Sequence, residues 1–143
     1  MAAEPEQTVL HASAVAIDGR ALLIAGPSGS GKSSLAMQMI AHGAKLVSDD
    51  RSVISCKAGE LHVSPPQTIA GMIEARGIGL LNCDNLATAR VAGYLDLGVS
   101  EAERLPEERW KRILGVNVPL FYRPQTEALP AAMLLFLKYG RRA

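Results

Sequence analysis

Cysteine is scarce in this chain, one-sided charge is missing, and no apolar stretch is long. Only Cys56 and Cys83 are present. They are too few for a disulfide scaffold and too far apart for a C-x-x-C motif, which leaves reduced thiols as the default. The 15 Lys and Arg nearly balance 14 Asp and Glu, for a formal net charge of +1 without a long basic run. A nucleic-acid partner therefore has no electrostatic support. The longest apolar run, Ala131 to Leu137, is far short of the roughly 20 residues of a membrane-spanning helix, so no membrane is expected as a partner. The N-terminus, Met1-Ala2-Ala3-Glu4-Pro5-Glu6, has neither the basic nor the apolar region of a signal peptide. Internal repeats and low-complexity segments are lacking too. What is there, 48% apolar and 20% charged residues over 143 positions, reads as one soluble, cytoplasmic, globular domain spanning 1–143, with 1–7 as a flexible tail.

The most informative stretch is Gly26-Pro27-Ser28-Gly29-Ser30-Gly31-Lys32-Ser33, a G-x-x-x-x-G-K-S phosphate-cradling loop. It follows the apolar run Ala21 to Ala25 and precedes Ser34 to Ala41, which reads as an amphipathic helix. This strand–loop–helix context is what the motif requires. The glycines let the backbone curl so that successive N–H groups face phosphate oxygens, and the helix opening at Lys32 adds its positive dipole end. Lys32 would reach the β- and γ-phosphates of a bound nucleotide, and the Ser33 hydroxyl would hold magnesium.

Around that loop the chain alternates between strand and helix signals. Val9 to Ile17 reads as a strand ending at Asp18-Gly19, a hairpin turn into the strand that delivers the loop. On the residues alone, His11 is a half-exposed strand residue sharing a face with Ser13 and Val15. Gly43 stops the helix. Ala44 to Val47 is then a short strand expected to lie parallel and adjacent to the one before the loop, ending in Ser48-Asp49-Asp50. Carboxylates at that strand end can bind magnesium or take a proton from a hydroxyl; a turn capping the strand is the alternative. A hairpin around Lys57 to Glu60 follows. Glu74-Ala75-Arg76-Gly77-Ile78-Gly79 reads either as backbone approaching something closely or as a structural ion pair on a glycine turn. Val91 to Leu97 is a strand. A helix is expected from Pro106 to Leu114 with Trp110, Ile113 and Leu114 buried. Val116 to Tyr122 is a strand near an edge because of Pro119, and Ala128 to Tyr139 a closing helix buried through Leu129, Met133, Phe136 and Leu137. The fold class is α/β: a P-loop nucleotide-binding domain with a mixed sheet, an N-terminal β-hairpin feeding the phosphate loop, and few helices.

Taken in order, these elements resemble the catalytic domain of the HPr kinase/phosphorylase family. They are His11, the loop from Gly26 to Ser33, Asp49-Asp50, Glu74 to Gly79, Arg104-Leu105, Leu114-Gly115 to Pro119, and Arg123-Pro124. The loop is common to many kinases, whereas its combination with the close Asp-Asp and the E-x-R-G-x-G segment is specific. The resemblance implies an ATP- and magnesium-dependent protein-serine kinase acting on HPr, or a nitrogen-related paralogue, in the phosphotransferase system. Gly26, Pro27, Ser28, Gly29, Ser30, Gly31 and Lys32 would then hold ATP, and Ser33, Glu74 and Asp50 magnesium. Asp49 would be the general base, with His11 beside it, and Arg104 would offset charge on the transferring phosphoryl group. The family forms hexamers, so a homo-oligomer is expected.

Two departures limit what is carried over. Longer family members have an N-terminal regulatory domain; this sequence resembles the short form, and metabolite control through such a domain is not expected. The family has R-P-G-R-N where this chain has Arg123-Pro124-Gln125-Thr126-Glu127. That segment is associated with phosphate-dependent dephosphorylation, so the resemblance supports the kinase and not the phosphorylase activity. A small-molecule P-loop kinase and a nucleotide-binding regulatory module without turnover are the competing readings. Little room for an Arg-bearing lid between Lys32 and Asp49 argues against the first, and a candidate base against the second.

Overall fold

A computed structural model describes residues 6–143. The stretch from Val9 to Ile17, expected as one strand, is two: β1 (Gln7–Leu10) and β2 (Ala12–Ile17), parted by a bend at His11. The expected tail lies mostly outside the described residues, but Gln7 already belongs to β1 and the Glu6 carbonyl accepts the Cys56 N–H at 3.0 Å. β2 turns at Asp18 (φ 53°) and Gly19 (φ 77°) into β3 (Arg20–Ala25). Both central positions have positive φ, as a two-residue turn between twisted strands requires. The phosphate loop leads into α1 (Lys32–Ala41), whose end is closed at Gly43 (φ 111°). There follow β4 (Lys45–Ser48), a hairpin of β5 (Ser52–Lys57) and β6 (Glu60–Ser64), a 3₁₀ turn at Gln67–Ile69, and a second hairpin of β7 (Met72–Ala75) and β8 (Gly79–Asn82). The chain closes with β9 (Ala89–Ser100), β10 (Trp110–Ile113), β11 (Val116–Arg123) and α2 (Leu129–Tyr139).

Among the described residues nine strands form one mixed sheet in the order β1-β5-β6-β9-β3-β2-β4, with β11 joined to β9 and β10 to β11. β3 and β9 are parallel, and β2 is antiparallel to both β3 and β4. The expectation that β4 lies next to β3 is therefore corrected: β2 stands between them. A two-residue hairpin closes at small entropic cost, so β2 takes the edge of β3 and leaves its own far edge for β4. Buried on both faces, β2 and β3 read as continuous apolar runs without alternation. On one face Val15, Leu22, Ile24 and Leu95 pack under α1 and α2 against Leu35, Met39, Met133 and Leu137. On the other, Ala14, Leu23, Val47 and Val91 meet Ile54, Leu61 and Val63 of the β5–β6 hairpin. Each such side chain contributes about 1.5–3 kcal/mol when fully buried.

The helix expected from Pro106 to Leu114 is absent. Trp110–Ile113 pairs antiparallel with Val116–Pro119 across Leu114 (φ 47°) and Gly115 (φ 80°). The proline and acidic pair imitate a helix start, but the turn chemistry at Leu114-Gly115 and the β-branched run after it favour a hairpin. Trp110 is consequently exposed, not core. In α2 the buried set is Leu129, Met133, Leu134 and Leu137; Phe136 is half-buried, edge-on to Phe121 at 4.8 Å.

Gly93 of β9 lets α2 sit close to the sheet, since a Cβ there would fall 2.9 Å from Phe136 Cε2 and 3.3 Å from Leu22 Cδ1. Gly93→Ala should lower unfolding stability by about 1–3 kcal/mol through overpacking. Phe136→Leu in the same chain should recover part of that loss. Urea unfolding of the single and double variants checks this, and a double variant no better than Gly93→Ala would show that the ring is not what limits the space.

Candidate active site

Gly26 opens the phosphate loop at φ 144°, and a Cβ on it would lie 2.6 Å from Ser30 Oγ. Only glycine lets the loop fold over itself there. Ser30 N–H closes a turn onto the Pro27 carbonyl at 3.0 Å, and Leu35 N–H makes the first helical bond to Gly31 at 2.9 Å. Gly31 (φ 98°) caps α1 without a side-chain bond, so the first helical N–H groups are left for a ligand. The Lys32 ammonium is buried and donates to the Gly26 and Pro27 carbonyls at 2.8 and 3.3 Å. Ser30 Oγ is buried with no hydrogen-bond partner. A loop of bare amides with a cation laid across it fits a polyphosphate chain.

The two aspartates at the end of β4 point to different places. Arg51 N–H bonds to the Asp49 carbonyl at 2.7 Å, and Asp50 between them takes φ 66°. This three-residue turn is a strained form of the kind that gathers at functional sites. It sends Asp49 inward and Asp50 outward. Asp49 is buried, and its Oδ1 accepts Ser13 Oγ at 2.8 Å and Ser33 Oγ at 2.7 Å. Its Oδ2 accepts the Glu74 N–H at 3.0 Å. Asp50 is more than half exposed; its N–H donates to Ser13 Oγ at 3.0 Å and its Oδ1 lies 2.7 Å from His11 Nε2. His11 thus stands beside Asp50 and not beside Asp49 as expected. The bend between β1 and β2 that breaks the anticipated strand is what turns its ring outward.

A cavity of about 400 Å³ joins the loop to these groups, lined by Ser28, Gly29, Lys32, Asp50, Glu74 and Arg76 among others. Ser33 lines it as well, so the lysine, the hydroxyl, one aspartate and Glu74 share one space. Among the described residues no three His, Cys, Asp or Glu side chains converge as a metal cage. A magnesium ion here would rest on Ser33, one or two carboxylates, phosphate oxygens and water, its usual habit.

Arg104 does not reach this space. It is exposed, in the segment between β9 and β10, and is not among the residues lining the cavity. That segment is tied at its base by an ion pair of Glu101 with Arg109, whose guanidinium holds the Glu101 carboxyl below the usual carboxylate range and also covers the Tyr122 ring at 4.5 Å. His62 lies elsewhere, 3.7 Å from Glu60 on the β5–β6 hairpin. Cys56 and Cys83 are free thiols.

Three contributors have contacts at the site that the sequence did not indicate. Ser13 was visible only as sharing a strand face with His11. Arg76, in the E-x-R-G-x-G stretch, lines the cavity. Arg123, seen in the sequence as part of the R-P segment the resemblance rests on, reaches back to the loop, its Nη2 donating to the Ser30 carbonyl at 2.7 Å.

Residues 3–92 match the family model described as the HPr Serine kinase C-terminal domain. The chain belongs to that family. The HPr kinase/phosphorylase of Clostridium tetani is 36% identical over 107 residues, covering 74% of this chain and 34% of the relative. That of Malacoplasma penetrans is 28% identical over 130 residues, covering 82% and 43%. The chain therefore spans only about a third to two fifths of the length of these curated relatives. A solved structure, the Hpr(Ser) kinase/phosphatase from Coxiella burnetii, superposes with a TM-score of 0.78 at 26% identity, over 92% of this chain and 94% of that one. A mixed sheet with few helices around a P-loop is thus the fold that this chain shares with that structure. Among the described residues no helix is long and apolar enough to cross a membrane.

Ser13 ties both aspartates, so its loss should be felt in the fold. Ser13→Ala removes one donor to Asp49 and the acceptor of the Asp50 N–H, and should cost about 1–3 kcal/mol. An unchanged urea midpoint would show those two bonds to be idle.

Proposed function

We propose that this chain is an ATP- and magnesium-dependent protein-serine kinase whose acceptor is the phosphocarrier HPr or a nitrogen-related paralogue, working in the cytoplasm. The observation that carries the reading is the half-exposed Asp50 carboxylate, which lines the same cavity as the loop lysine and is held from behind by His11. Family membership and the names of the relatives support the acceptor; a hexameric assembly is supported by the family resemblance alone.

The geometry favours exchanging the roles expected for the two aspartates. Both Asp49 oxygens are engaged by Ser13, Ser33 and Glu74, and little is left to receive a proton. Its part is to orient the Ser33 hydroxyl toward a metal, with Glu74 presenting a second carboxylate. Asp50 has one oxygen against His11 and the other free, so it is the better general base. The His11 ring, as a hydrogen-bond donor, fixes the carboxylate's direction; it is a positioning residue.

Bound ATP·Mg would supply the phosphoryl group and screen its charge. The loop amides and Lys32 hold the terminal phosphates in line. Asp50 accepts the serine hydroxyl proton as the serine oxygen bonds to the terminal phosphorus and the bond to the leaving diphosphate breaks. Arg76 lines this space and is the cation proposed to offset charge on the transferring group, in place of Arg104. Such chemistry depends on placement and charge neutralisation more than on covalent help from the protein.

Asp50→Asn should cut turnover by about 10²–10⁴-fold, the usual worth of a positioned base, with ATP affinity little changed. Asp49→Asn should instead weaken magnesium-dependent nucleotide binding. The reverse pattern in steady-state kinetics and nucleotide titration would restore Asp49 as base. Incubation with labelled ATP, magnesium and a phosphocarrier should place the label on a serine of the carrier. Label confined to a small-molecule acceptor would overturn the protein-kinase reading. Because Arg123-Pro124 is followed here by Gln125-Thr126-Glu127, inorganic phosphate should release little pyrophosphate from the phosphorylated product; abundant pyrophosphate would show that segment to be dispensable.

A further inference from the structure

The phosphate loop has a second side. Between α1 and the segment after β11 lies a cavity of about 550 Å³, bordered by Ser34, Gln38, Arg123, Thr126, Glu127 and Pro130. Gly31 and Ser34 line both this cavity and the one holding Lys32 and Asp50. The two spaces therefore meet over the first turn of α1, and one extended ligand can occupy both.

Their chemistry differs. Lys32 and Arg76 belong to the first cavity. In the second, Arg123 already gives a donor to the Ser30 carbonyl, and the Glu127 carboxylate lining the same space balances its formal charge. No net positive field is left there to draw in an anion. The remaining wall includes apolar Leu35, Leu97, Leu129 and the ring of Pro124. A space whose walls are part apolar and part polar, with its formal charges balanced, suits an uncharged polar group with an apolar face.

We propose that this second cavity seats the nucleoside end of the nucleotide, with Glu127 as the residue that reads it; the inference rests on the nucleotide-binding function proposed above. A carboxylate only accepts hydrogen bonds. Glu127 therefore selects a donor on the nucleoside, either a ribose hydroxyl or an exocyclic base amine. Arg123 holds the Ser30 carbonyl and so fixes the loop edge that separates the nucleoside from the phosphates.

Calorimetric titration of the full chain with ATP, 2′-deoxy-ATP, inosine triphosphate and inorganic tripolyphosphate, each with magnesium, tests this. Glu127→Ala should weaken ATP about tenfold, the scale of one hydrogen bond to a charged group, and leave tripolyphosphate within about twofold. Thr126→Trp, which fills the cavity instead of removing a partner, should give the same split. Both positions are exposed, and tripolyphosphate binding reports whether the loop is intact. A penalty for 2′-deoxy-ATP that disappears in Glu127→Ala identifies the ribose 2′-hydroxyl as the donor; a penalty for inosine triphosphate that disappears identifies the base amine. Unchanged ATP affinity in both variants overturns the proposal, as does equal loss of ATP and tripolyphosphate. A wild-type chain that binds tripolyphosphate as tightly as ATP shows the second cavity to be empty of nucleoside. Binding of neither overturns the nucleotide reading itself.

Discussion

The Asp49 carboxylate is the point on which this site hangs. A buried carboxylate is costly unless its oxygens are met by donors, and here the donors come from three separate elements: Ser13 of β2, Ser33 of α1 and the Glu74 N–H of β7. Satisfying one carboxylate thus fixes the loop serine, the strand β2 that pairs with the one entering the loop, and the hairpin that carries Glu74 and Arg76. Ser13 extends the hub by one bond, since its oxygen also accepts the Asp50 N–H. The tight turn through Asp50 is then held on both sides, which is how a left-handed non-glycine residue persists beside the cavity.

That hub exists because of the sheet order. Had β4 paired directly with β3, no side chain of β2 could have met Asp49. With β2 interposed, Ser13 lies where Asp49 turns inward, and the bend at His11 brings the imidazole to the outward-facing Asp50. The hairpin before the phosphate loop is therefore part of the site and not only a way of delivering the strand.

Much of this was legible in the chain. The loop, its strand and its helix were marked by glycine spacing and apolar runs, and the Asp18-Gly19 turn fixed the first hairpin. The aspartate pair was visible as a feature, yet not its division of labour. Adjacent residues on one strand end look equivalent until a turn such as the one at Asp50 separates their directions. Nor can a sequence show that two strands linked by a helix will have a third placed between them, because pairing across β2 is decided by which edge the local hairpin takes first. Trp110 was misplaced for a related reason: the proline and acidic residues before it carry helix-start chemistry, while Leu114-Gly115 carries hairpin chemistry, and the pairing with Val116–Pro119 decided between them. Arg123 was visible as part of the R-P segment, but its hold on the loop was not, since its partner, the Ser30 carbonyl, lies on a distant part of the chain.

The position of Arg123 bears on how the two ends of the domain act together. Its strand, β11, runs parallel to β9, which in turn is parallel to β3, the strand entering the loop. The C-terminal ends of β3 and β9 therefore lie together, and Arg123 at the end of β11 reaches from beside them to the Ser30 carbonyl. Gly98 of β9 packs as closely: a Cβ there would stand 3.0 Å from the Pro27 ring. The loop is thus held from below by its own strand, from one side by Asp49 through Ser33, and from the other by β9 and Arg123. A polyphosphate cradle built of glycine amides has little stiffness of its own. For the phosphoryl transfer proposed above, the stiffness it needs comes from these three supports, drawn from both halves of the chain.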